Sequence, residues 1–182
     1  MNFVEPIRDK TTVKDIADYL KTVHEKYYIL FEIGIYSGLR ISDILKLKIR
    51  DVRGKKRIRV RETKTNKEKF FPVHKELYKA LSIYCEGKPD SDFVIPSARV
   101  KNKAVSREYV YRVIKAAGEE FGIDSLGTHS MRKTFGYHFY LQNKDVVLLM
   151  RIFNHYNESV TLRYIGIEQT TIDAAMKKFT YD

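Results

Sequence analysis

The feature that most restricts the fold lies at residues 27–37, a very apolar stretch that reads as a helix and that Gly38 ends. Neither this stretch nor any other apolar run is long enough to span a bilayer, so it must find its cover inside a folded protein. Ahead of it, Val13, Ile16, Ala17 and Leu20 recur at helical spacing over residues 12–20. Behind it, Ser42 is expected to cap a short helix running to Leu47, with Asp43 in its first turn. The period then changes. Residues 56–61 alternate basic side chains with Ile58 and Val60, the pattern of a half-buried strand, and residues 69–73 return as its partner. The hairpin tip is Lys64, Thr65, Asn66 and Lys67. Further helices are expected near residues 74–85, 106–121, 130–141, 145–153 and 171–178, with Gly122 suited to the C′ position after the second of these. The last carries Ile172, Ala175, Met176 and Phe179 on one face. The fold class is therefore mainly α with one small antiparallel β-sheet.

Nothing in the chain repeats or reads as a linker, and 182 residues fit one domain, or one domain with a short arm. The expected division is an N-terminal arm at residues 1–11 and a single domain at 12–182. With 34 Lys and Arg against 23 Asp and Glu, the formal charge of +11 points to a polyanionic partner such as nucleic acid. Cys85 is the only cysteine, which excludes an internal disulfide and a CxxC motif, and its setting among Leu81, Ile83 and Tyr84 suits a buried thiol. The N-terminus lacks a basic-then-apolar signal pattern, so a cytoplasmic protein is expected. Asn157 and Ser159 form a glycosylation sequon that has no meaning without secretion.

The last third of the chain holds polar residues that a core has no use for. They are Thr128-His129-Ser130-Met131-Arg132, Asn154-His155-Tyr156 and Arg163-Tyr164-Ile165. His129 and Arg132 are three apart, one helical turn, and His155 and Tyr164 are nine apart. Upstream, Arg40 stands between Ser37-Gly38-Leu39 and Ile41-Ser42-Asp43-Ile44, and Lys64 stands in Thr63-Lys64-Thr65-Asn66-Lys67-Glu68-Lys69. In this order and context the set resembles the catalytic domain of the tyrosine recombinases, the phage-integrase family, over nearly the whole chain from about Thr11 to Phe179. The resemblance implies the DNA breaking-rejoining fold of that family.

It also implies a chemistry. Breaking and rejoining DNA without metal or nucleotide energy needs a protein nucleophile that keeps the phosphodiester energy in a covalent bond. It needs fixed cations for the added negative charge of the transition state, and a proton for the leaving 5′ oxygen. By resemblance Tyr164 is the nucleophile, whose phenol needs cations or a base beside it to attack near neutral pH. Arg40 and Arg132 clamp the phosphate, a task that suits a planar, always-charged guanidinium. Asp43 orients the network around Arg40. His129 and His155 manage protons, and Lys64 is the general acid toward the 5′-hydroxyl. No cofactor or metal enters, since no Cys or carboxylate pairs with His129 at ligand spacing. Where the family commonly has Leu-Gly-His, this chain has Phe153-Asn154-His155; Asn can supply the left-handed backbone of that turn. A short helix over residues 159–164 would carry the nucleophile.

The resemblance implies double-stranded DNA as partner and four protomers on two sites; the apolar face of the last helix is expected to pack either on a neighbour in that ring or back on its own core. Lys67, Arg107 and Arg112 are candidate DNA contacts. Relatives usually carry a separate N-terminal core-binding domain, which is not expected here because only about ten residues precede the first helix. Binding should then be salt-sensitive, and synapsis could call on an accessory DNA-binding protein. Two other readings keep the fold: a non-cleaving DNA-binding accessory, and a relaxing enzyme like the type IB topoisomerases.

Overall fold

The computed structural model describes residues 4–180. Ten helices and one hairpin follow in the order α1 (Lys10–Val23), α2 (Glu25–Ser37), α3 (Ile41–Ile44), α4 (Ile49–Val52), β1 (Arg57–Arg61), β2 (Glu68–Pro72), α5 (Lys75–Tyr84), α6 (Arg107–Glu120), α7 (Thr128–Asn143), α8 (Val146–Phe153), α9 (Glu158–Tyr164) and α10 (Ile167–Lys178). The expected class holds, and none of the described helices is long and apolar enough to cross a membrane.

Helix α2 is the spine. Ile29, Leu30, Phe31 and Ile33 are each at most 1% exposed, because α1, α5 and α7 cover the helix on different sides. Contact with α7 is close: a methyl group placed on Gly34 would stand 2.8 Å from Met131 Cβ. Strands β1 and β2 pair antiparallel from Arg57↔Pro72 to Arg61↔Glu68, with Ile58 and Val60 turned inward and the arginines turned out. A second, smaller cluster forms around Tyr137, Leu149, Phe153 and Ile165, where α7, α8 and the end of α9 meet. The site lies along the seam between the two clusters.

Residues 4–9 form a strap across α7. Lys133 donates to the Val4 carbonyl at 2.7 Å, the Ile7 amide donates to Thr134 Oγ1 at 2.9 Å, and His138 Nε2 stands 3.0 Å from the Ile7 carbonyl. Met1, Asn2 and Phe3 of the expected arm lie outside the described residues.

Three expected boundaries are corrected. Ser42 is not a cap: Arg40 occupies the N-cap position with no side-chain capping bond, and the helix stops at Ile44. Helix α7 starts at Thr128, since Gly127 in an extended conformation serves as its N-cap. Helix α10 starts at Ile167, directly behind a left-handed Gly166 (φ 75°), and not at Thr171. Ile172, Met176 and Phe179 stand 46%, 72% and 67% exposed on it, so this face is not folded back onto the core; the Ala175 side chain lies outside the described set.

Candidate active site

The end of α8 gathers the cations. A helix leaves its last carbonyls without internal partners, and its C-terminal end carries partial negative charge. Asn154 takes a left-handed backbone (φ 53°, ψ 48°) and ends α8 as the Asn-for-Gly reading expects. Two carbonyls are thereby left facing basic side chains. Arg132 donates to the Phe153 carbonyl at 3.1 Å and Arg40 reaches the same oxygen at 3.5 Å. Lys69 donates to the carbonyl of Ile152. One backbone oxygen thus holds two guanidinium groups side by side, against their mutual repulsion.

Each arginine has a second anchor. Gly38, left-handed at φ 62°, turns the chain out of α2 so that Arg40 leaves from a rigid corner. Arg40 Nη1 then donates to Glu62 Oε1 at 2.8 Å. Arg132, 3% exposed, donates to the Gly38 carbonyl and lies over the Phe153 ring, 4.1 Å from its centroid. Burial lowers the pKa of Arg132, with Arg40 adding to the effect and Tyr164 and Glu62 opposing it; a guanidinium so placed remains a cation at any working pH.

His155 and Tyr164 meet edge to face with ring centroids 5.3 Å apart, and Tyr164 also meets Phe153 edge to face at 5.6 Å. The Tyr164 hydroxyl lies in the field of the Arg132 guanidinium, in the same chain. Burial pushes its pKa up, and the pull of Arg132 and Arg40 offsets only part of that. The His155 pKa is driven down to about 4 by burial and by the charges of Arg132, Arg40, Lys69 and Lys64, so the ring is neutral near pH 7. His155 Nδ1 stands 3.0 Å from Thr161 Oγ1, which is itself 3.1 Å from the Asn157 carbonyl; when the hydroxyl gives its one proton to that carbonyl, it accepts from Nδ1. In that arrangement Nδ1 carries the hydrogen and Nε2 keeps a lone pair.

The hairpin brings a lysine into this group, but not only the expected one. Lys64 stands exposed at the tip, and its charge reaches His155. Lys69, on β2, stands inside, with its ammonium 3.0 Å from Glu62 Oε1. Burial lowers its pKa, against the opposing pull of Glu62. Asp43 ties α3 to the tip by accepting from the Thr63 amide at 2.8 Å and from the Thr63 hydroxyl at 2.6 Å.

His129 occupies the first turn of α7 and faces solvent. Desolvation by the adjoining protein lowers its pKa, as do Arg107, Arg132, Lys133 and Arg40. Arg107, the exposed first residue of α6, therefore sits at the margin of the site. Lys67 is exposed on the hairpin and borders the same surface hollow as Asn154, His155 and Tyr156. Arg112 is exposed farther along α6 and lies over the Tyr109 ring at 5.3 Å. Asn157 and Ser159, the chance sequon, cap α9: the Asn157 side chain accepts from the Ser159 amide at 2.8 Å. Cys85 is fully buried as expected.

Glu62, Lys69 and the Phe153 carbonyl were not expected in the site. An acid directly after Arg57, Arg59 and Arg61 is the signal that could have singled out Glu62. No side-chain pattern announces a carbonyl. Among the described residues, no group of three or more His, Cys, Asp or Glu comes together that could hold a metal ion.

The chain is similar to several known proteins. The Phage integrase family profile matches residues 8–170. The chain is 39% identical over 179 residues to the probable integrase/recombinase YoeC of Bacillus subtilis (strain 168), covering 98% of each chain. It is 25% identical over 169 residues to the tyrosine recombinase XerA of Pyrococcus horikoshii, covering 91% of this chain and 58% of that one. Its fold matches that of the XerH site-specific recombinase bound to a palindromic difH substrate in a post-cleavage complex, with a TM-score of 0.72 at 16% identity, over 97% of this chain and 54% of that one. The chain thus spans almost all of one relative and little more than half of the other two.

Proposed function

The chain belongs to the phage integrase family, the tyrosine recombinases, and on that premise we propose that it cuts and rejoins double-stranded DNA through a 3′-phosphotyrosyl intermediate. The observation that carries this reading is the convergence of Arg40, Arg132, His155 and Tyr164 on the end of α8.

The scissile phosphate would lie against the two guanidinium groups, each already held by two protein acceptors. Fixed in this way, they need no reorganisation when charge builds on the phosphorus oxygens, which is where such donors lower a barrier most. Tyr164 Oη attacks phosphorus while the P–O5′ bond breaks. The phenol proton passes to a base, for which the lone pair on His155 Nε2 is suited. Its low basicity favours a proton transfer completed only as the phosphate cancels the surrounding positive charge. The O5′ leaving group takes a proton from Lys64, with His129 hydrogen-bonding the phosphate. Rejoining runs the same steps backwards, with the 5′-hydroxyl of a second strand as nucleophile.

Lys67, Arg107 and Arg112 would meet the DNA backbone, and Asp43 keeps the hairpin tip in register with Arg40. The domain would comprise residues 12–182, with the segment before it as an arm. Two sites held by four protomers, in the cytoplasm, would exchange strands, with Ile172, Met176 and Phe179 of α10 offered to a neighbouring copy. XerH was captured on its substrate after cleavage, which supports DNA as the partner here.

The test is covalent trapping. Wild type and Tyr164→Phe are mixed with nicked fragments of the source organism's DNA, quenched with SDS, and the protein-linked DNA is sequenced. Adducts confined to wild type are expected. Adducts that persist in Tyr164→Phe would exclude this nucleophile, and DNA retention without any adduct would favour a non-cleaving accessory.

A further inference from the structure

Building on the cleavage reading above, we propose that Glu62 is a positioning residue: its carboxylate fixes the Arg40 guanidinium and locks the hairpin to the turn that precedes His155.

The Glu62 side chain is 0% exposed and receives four donors from four different places. Oε1 accepts from Arg40 at 2.8 Å and lies 3.0 Å from the Lys69 ammonium. Oε2 accepts from the Thr65 hydroxyl and from Asn154 Nδ2, both at 2.6 Å. Its backbone is held as firmly. The Glu62 amide donates to the Lys67 carbonyl and the Glu62 carbonyl accepts from the Asn66 amide, both at 2.9 Å, which closes the hairpin tip. One side chain therefore joins the α2–α3 corner, the tip, β2 and the α8–α9 turn. Fully buried behind Arg40, it cannot be displaced by a phosphate arriving from solvent.

A buried carboxylate is costly unless charged partners surround it, and an apolar side chain would serve a purely structural position as well. What an apolar side chain cannot do is hold a guanidinium at a chosen angle. With Nη1 on Glu62 and Nη2 on the Phe153 carbonyl, Arg40 keeps its remaining N–H groups for another acceptor. Glu62 also places negative charge among Arg40, Arg132 and Lys69, which makes it possible for the three cations to stand together before DNA arrives. Asn154 matters twice in this arrangement. A glycine there could take the left-handed backbone, but it could not bond Glu62.

The experiment compares wild type, Glu62→Gln and Glu62→Asp in full-length protein on nicked duplexes carrying the sequence recovered by trapping. Single-turnover cleavage by Glu62→Gln should fall roughly 100-fold, the size of effect seen when a fixed transition-state donor is lost. DNA affinity should stay within about 3-fold, since fixing Arg40 matters most in the transition state. Glu62→Asp, which keeps the charge, should recover about 10-fold of the loss. A rate unchanged in Glu62→Gln overturns the proposal. So does a loss matched by equal loss of affinity and not recovered in Glu62→Asp, which marks a merely structural role. A second readout does not depend on cleavage. In ¹⁵N-arginine spectra the Arg40 Nη signals should be separate in wild type, from hindered rotation, and averaged in Glu62→Gln. If wild type never cleaves, these signals alone decide: separate signals in both proteins overturn the proposal, whatever becomes of the cleavage reading.

Discussion

At the scale of single residues, burial decides which groups hold protons. Tyr164 is pushed up and His155 down to about 4, so both are neutral at pH 7, a tyrosine with its proton beside a base without one. This arrangement has a cost in acid. The folded ring binds a proton near pH 4 and the unfolded one near 6.5. Above pH 6.5 neither state is protonated and the group contributes nothing. As pH falls from 6.5 towards 4, only the unfolded chain takes up the proton, so stability is lost over that window. His129 and His138, also lowered, act in the same direction. Glu62 is separable because its window is lower. Burial alone would raise its pKa, but the bonds from Thr65 and Lys69 and the charges of Lys69 and Arg40 hold it at about 2, so its contribution is lost only as pH falls from 4.5 towards 2. Thermal melts should therefore drop between pH 7.5 and pH 5, and His155→Asn should recover about 1 kcal/mol of that drop, allowing for solvent around the ring. An identical drop in the variant would remove His155 from the explanation.

At the scale of elements, the site depends on how closely α7 approaches α8 and the end of α9. Gly136 marks that approach: a Cβ there would lie 2.7 Å from Ile165 Cγ2 and 2.8 Å from the Phe153 ring. Both neighbours are fully buried and have little room to yield. Gly136→Ala should cost about 1–3 kcal/mol, the usual price of overpacking a core. It should also slow cleavage at temperatures where the protein is still folded, because Arg132 rides on α7 while the Phe153 carbonyl and Tyr164 ride on α8 and α9. Chemical denaturation paired with single-turnover cleavage checks both parts; full activity in a destabilised variant would separate the packing from the site. Helix types were legible in the sequence because apolar spacing reports them directly. Boundaries at Arg40, Thr128 and Ile167 were not, since each follows a left-handed or extended N-cap residue that makes no side-chain capping bond of its own.

At the scale of the whole molecule, the excess of 34 basic over 23 acidic residues has a measurable consequence on DNA. Each phosphate neutralised releases counterions, so the logarithm of affinity should fall linearly with the logarithm of salt. Arg107, exposed at the start of α6 beside His129, is proposed to meet one phosphate. Arg107→Ala should weaken binding across all sequences and reduce the salt slope by about 1, as a phosphate contact does. Binding titrations at several salt concentrations read this; an unchanged slope would move Arg107 off the DNA path.

The sequence by itself determined the helical class, the hairpin, the buried thiol and the positions that resemble the family's catalytic set. These follow from local periodicity and from residue types at fixed spacing, which survive reading in one dimension. The tertiary structure alone decided what holds those residues in place. Glu62 lies 22 positions from Arg40 and 92 from Asn154, and the Phe153 carbonyl lies 113 positions from Arg40. Partners so distant in the chain are chosen by how α2, the hairpin and α8 pack, and a backbone oxygen leaves no mark in a sequence. The residues proposed to act were therefore legible beforehand, and the group proposed to aim them became visible only once the helix ends had met.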